Sequence, residues 1–109
     1  MDPRICEAIA ARRLLMFGYG GVVRVVEPHL YGRTAAGHEV LSAWVRPGWT
    51  QADPDGGWRL YRVDGIERLQ PLPEHFDGPR PDFNAADPHV AEPFCHVLPP
   101  AIDSPTAGD

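Results

Sequence analysis

Lysine is absent from this 109-residue chain, and all ten of its basic residues are arginine. The bias matches the Ala, Gly and Pro usage of a GC-rich coding sequence, so arginine content alone carries no signal for nucleic acid. Excess positive charge is lacking too. The formal charge of −5 excludes the basic field of a protein that coats DNA non-specifically. Cysteine is scarce: Cys6 and Cys95 sit near opposite ends, a disulfide framework would use more, and a reducing cytoplasm is expected. No window approaches the roughly 20 apolar residues of a membrane span. The stretch after Met1 is charged, with short apolar runs, unlike a signal peptide.

Catalytic ingredients are equally thin. Ser42 and Ser104 are the only serines, neither in a nucleophile-elbow context, and the carboxylates form no evident acid/base pair. Five histidines are present, but none has the i,i+4 or Cys-x-x-Cys spacing of a zinc site, and Cys95-His96 are too close together to share one ion easily. The chain is therefore expected not to be an enzyme, with no metal and no cofactor.

What is present is unevenly distributed. Residues 1–76 hold nine arginines and nine carboxylates, so residues 77–109 carry the whole net charge together with seven of the thirteen prolines. Proline fixes φ and donates no hydrogen bond. The expected organisation is a folded domain over 1–76 and a Pro-rich acidic tail over 77–109, extended or disordered. That tail could lie across a cationic site and compete with an anionic ligand, or serve only as a solubilising segment.

Asp2-Pro3 is a helix start, with Asp as cap and Pro at the first position. Ile5, Ala8 and Ile9 follow at helical spacing, which predicts a short amphipathic helix over 3–13. Strands are predicted over 14–19 and 22–27 around the Gly20-Gly21 hairpin, then over 29–33 and 39–46. Pro28 should end the second strand or put it at an edge. A turn-rich loop over 47–57 precedes the last strand segments, 58–64 and 66–72, with Gly65 a bend. The pattern predicts a mainly β fold: a small five-stranded antiparallel SH3-like or Sm-like barrel with an N-terminal helix and an irregular C-terminal tail. Its core would draw on Ile9, Leu15, Phe17, Val23, Val25, Leu41, Ala43, Val63, Ile66 and Leu69.

The run Trp58-Arg59-Leu60-Tyr61-Arg62 places two arginines and a ring on a β-prone segment. A guanidinium offers a forked donor and a stacking plane together, and a ring accepts any base face. In a regular strand Arg59 and Tyr61 share a face while Arg62 takes the other. The alternative is a core Tyr61 with both arginines solvated or paired to Asp64 and Glu67. Arg24 shares its strand face with Val26 and Pro28, so it needs an anionic partner if it leans inward.

Order and spacing over residues 4–76 resemble the WYL domain, a bacterial ligand-sensing module usually attached to transcription factors. The resemblance runs through Ala8-Ile9, Tyr19, the Arg24 to Pro28 spacing, Arg59-Leu60-Tyr61-Arg62, Asp64, Ile66 and Phe76. The namesake tripeptide is Glu39-Val40-Leu41 here, keeping only its leucine, and Gly65 stands where an arginine is usual. The resemblance implies an Sm-like barrel and a regulatory domain, in transcription or defence. It would bind an anionic small molecule, a nucleotide or a short single-stranded nucleic acid through Arg24, Arg59, Tyr61 and Arg62. Because 109 residues leave no room for a helix-turn-helix beside the barrel, a protein partner would supply the output; a homodimer stays open, and no membrane is involved. The alternative from the same residues is a protein-interaction or assembly module with a degenerate pocket.

Overall fold

The computed structural model describes residues 1–50 and 53–100. Helix α1 (Pro3–Ala11) begins where the sequence places it: the Asp2 carboxylate accepts the Arg4 N–H at 3.0 Å, and Pro3 occupies the first turn. Arg12 closes the helix in the left-handed region at φ 54°, its N–H meeting the Ala8 and Ile9 carbonyls. Ile5, Ala8 and Ile9 form the buried stripe.

Six strands follow: β1 (Arg13–Tyr19), β2 (Val22–Arg33), β3 (Glu39–Val45), β4 (Gly57–Arg62), β5 (Glu67–His75) and β6 (Glu92–His96), with a 3-10 turn over Val63–Gly65 between β4 and β5. They make one antiparallel sheet of order β4-β3-β2-β1-β5, with β6 on β2. The strands β4 and β5 end this path without pairing to each other, so the sheet is open. Gly20 and Gly21 take φ of 60° and 79° in the β1–β2 hairpin, a conformation nearly free for glycine alone.

Pro28 does not end its strand. Residues 22–26 of β2 pair with β1, residues 27–33 pair with β3, and the register shifts between Pro28 and Leu30. Proline is tolerated at that irregularity, where β2 passes from one partner to the other. The fifth strand runs through Pro71 and Pro73 to His75 because it is an edge strand, where a missing N–H breaks no inner ladder.

The core joins Ile5, Ile9, Leu15, Phe17, Tyr31, Leu41, Tyr61 and Phe76. Val23, expected inside, is 55% exposed, and Val25 is only partly buried. Leu15 faces Val26 and Phe17 faces Arg24 across the ladder, so the inward set of β2 is one residue out of step with that expectation. With a period of two, one step turns every side chain to the other face.

Residues 92–96 correct the expectation of an irregular tail. Strand β6 lies on the edge of β2 opposite β3, and Val90 and Val97 are buried. The Val97 N–H donates to the His29 carbonyl at 2.8 Å. Cys6 on α1 and Cys95 on β6 form a disulfide, with Cα atoms 5.8 Å apart. The two cysteines are remote only in sequence, because β6 returns past the helix. The tail calls falling on residues 101–109 lie outside the described residues.

Candidate anion-binding site

Three of the four expected ligand residues come together. Arg24 shares the inward face of β2 with Val26, while Arg59 and Tyr61, opposite Ala43 and Leu41, share the inward face of β4. Phe17 on β1, directly opposite Arg24, lies with its ring centroid 5.1 Å from that of Tyr61. Both arginines converge on Asp53, which follows from the 47–57 loop. Arg59 donates from Nε and Nη2 to Asp53 Oδ1 at 2.9 and 2.6 Å, and Arg24 Nη1 lies 3.6 Å from Asp53 Oδ2. Arg24 is held further by the Tyr19 carbonyl at 3.3 and 3.0 Å and rests 5.6 Å from the Tyr19 ring centre.

Tyr61 is 3% exposed, wedged edge-on against Phe17 and Tyr19. It cannot stack on a base, which corrects that role. Among the described residues its buried hydroxyl has no hydrogen-bond partner of full geometry, though the Arg24 side chain is near enough to interact with it and Asp53 and Arg59 also act on its ionisation. Burial pushes its pKa up, so the group is a neutral donor and acceptor. Arg62 is not part of this cluster: its exposed side chain on the other face pairs with Asp64 at 2.6 Å. Among the described residues Asp53 is the carboxylate over Arg24 and Arg59. Among the described residues the tail's ion pairs are Arg33–Glu92, Arg80–Glu27 and Asp87–His89.

A second arginine pair was not foreseen. Glu27, 1% exposed, receives Arg46 Nε at 2.7 Å and Arg80 Nε and Nη2 at 3.0 and 2.7 Å. Two cations around one buried carboxylate meet the desolvation cost that an unpaired charge would carry. Beside it His29 is fully buried against Trp58, Phe76 and Phe83. Its Nδ1 lies 2.8 Å from the Glu27 carbonyl and its Nε2 accepts the Arg80 N–H at 3.2 Å. That pattern requires the neutral Nδ1–H tautomer, and burial lowers the His29 pKa in the same direction. The available sequence signal was Glu27 itself, the carboxylate in the β-prone segment from Val22 to Tyr31, which Arg24 and His29 also interrupt. Arg80 carried none, because the tail gave no sign of returning.

Among the described residues no group of three or more His, Cys, Asp or Glu side chains could hold a metal ion, and no helix is long and apolar enough to cross a membrane. Comparison with family models, curated proteins and solved structures finds no match to this chain.

Proposed function

We propose that this chain is a non-catalytic binding domain for an anionic ligand, held between Arg24 and Arg59. The observation that carries the reading is that Arg24 and Arg59 share a single loop carboxylate, beside a buried Tyr61 hydroxyl that among the described residues has no hydrogen-bond partner of full geometry. A buried polar group without a partner carries a desolvation penalty, which a ligand oxygen would relieve. Asp53 stands in for that ligand: its carboxylate offers the oxygens that a phosphate would present to the same forks. Arg24 and Arg59 are balanced by Asp53 and by Asp55, which also acts on Arg59, so a phosphate that displaces Asp53 restores the balance it removes. Because Tyr61 has no exposed face, recognition falls on the phosphate of a nucleotide or short single strand rather than on its base.

The WYL-like reading goes with this proposal and gives the domain a regulatory role with its output on a partner. The strand order, the change of partner midway along β2 and the 3-10 turn before β5 support the finer architecture, an Sm-like or SH3-like barrel left open between β4 and β5. The Cys6–Cys95 disulfide favours an oxidising compartment over the cytoplasm, and trapping of free thiols in intact cells decides between them.

Calorimetric titration with a nucleoside diphosphate and with a short oligothymidylate tests the site. Binding is expected to vanish in Arg24→Ala/Arg59→Ala and to tighten about tenfold in Asp53→Asn, which removes the internal competitor. Absence of binding in both the natural chain and Asp53→Asn rejects the reading.

A further inference from the structure

Beyond that reading, we infer a second and separate ligand site: a cleft between the body and the returning C-terminal segment, suited to a small monocarboxylate with an apolar body. The cleft is about 360 Å³, lined by Glu27, Arg46, Arg80, Phe76, Asp77 and four prolines. That is the lower end of the range for small-molecule pockets.

Its two cations are pre-positioned. Glu27 anchors both from behind, the Arg46 guanidinium lies 4.8 Å from the Trp49 ring centre, and that of Arg80 lies 5.0 Å from that of Trp44. A planar cation fixed on a ring loses little further freedom when an anion arrives. Neither is used up. Among the described residues the Nη1 groups of Arg46 and Arg80 make no hydrogen bond, and Arg46 Nη2 has only a 3.4 Å contact to the His75 carbonyl. Both side chains keep about a third of their surface exposed (27% and 37%).

Charge then selects the ligand. The two arginines exceed Glu27 by one positive charge, and exposed Asp77 on the same lining returns the total to zero. One carboxylate is accommodated at the arginine end, while a dianion meets Asp77. Phe76 is buried behind the cleft, and the prolines, of which Pro81, Pro99 and Pro100 are exposed, offer apolar surface to the rest of the molecule, a surface that a bare inorganic anion leaves unused. A monocarboxylate carrying a ring or short alkyl body satisfies all three demands.

Benzoate and acetate are the probes, followed through the arginine Nε–H resonances of the full chain. Benzoate is expected to shift Arg46 and Arg80 saturably at millimolar concentration, more tightly than acetate, as fits so small a ligand. Arg80→Lys keeps a positive charge beside Glu27 but loses the fork, and should weaken benzoate about tenfold in a chain that stays folded by its amide spectrum, at a lowered melting temperature. Arg24→Ala/Arg59→Ala should leave benzoate binding intact, which separates this site from the phosphate site whichever of the two fails. Unsaturable shifts, equal affinity for acetate and benzoate, or full affinity in Arg80→Lys each overturn the proposal.

Discussion

Glu27, His29 and Tyr61 are polar groups placed in an apolar interior, and each is handled differently. Glu27 is paired twice, His29 is held neutral between a carbonyl and an N–H, and the Tyr61 hydroxyl has among the described residues no partner of full hydrogen-bond geometry. His29 makes stability depend on pH. Its folded pKa lies below the ordinary 6.5 because burial disfavours the cation, so below pH 6.5 the unfolded chain takes up a proton that the native one refuses. Stability is then complete above that pH and declines as pH falls. Urea unfolding from about pH 7.5 to 5 should show this decline, largely flattened in His29→Gln, which lacks the titrating group. The carboxylates Asp2 and Glu39 do not confuse the result. Their pKa values are lowered by Arg4 and by Tyr31, from 3.8 and 4.5, so their contributions are lost only at lower pH. An equal slope in His29→Gln would remove His29 as the cause.

At the scale of elements, the docking of β6 on β2 is what places Arg80 and the cleft. The approach is close at Gly32, where a Cβ would sit 2.5 Å from the Glu92 carbonyl oxygen and 2.8 Å from the Pro93 Cα. Both neighbours are backbone and cannot yield as a flexible side chain would. Gly32→Ala should therefore cost about 1–3 kcal/mol, the range for overpacking. It should also raise hydrogen exchange selectively at β6 and at the Val97 N–H. Uniform exchange across β1 and β3 instead would mean that β6 is not a separable element. The α1 and β1–β2 elements were legible because capping, helical spacing and paired glycines act over a few residues. The path of β2 through Pro28 was not, since its bulge is set by the change of neighbouring strand.

For the whole molecule, the disulfide joins residues 89 apart and so ties the first helix to the last strand. In the chain-entropy account, closing a loop of that length stabilises the fold by about 4–5 kcal/mol through the unfolded state. The double variant Cys6→Ser/Cys95→Ser should lose much of that in chemical unfolding, and dithiol reduction of the natural chain should reproduce the loss. A variant as stable as the natural chain would show the link to be energetically idle. Because one wall of the carboxylate cleft belongs to the same returning segment, the covalent tie and the cleft share one structural dependence.

The sequence by itself determined the mainly β character, the capped helix and the first hairpin, because these follow from interactions within a few residues. It also singled out Arg24, Arg59 and Tyr61, whose spacing on two strands gives each an inward face. Strand alternation also put Arg62 on the opposite face, where it pairs with Asp64; tertiary structure alone decided that Phe17 and Tyr19 would seal Tyr61 and that Asp53 would sit on both arginines. It likewise decided the disulfide and the Glu27–Arg46–Arg80 cluster. Each depends on segments brought together by the bend of β2 and the return of β6, and the register and path of paired strands are properties of the assembled sheet.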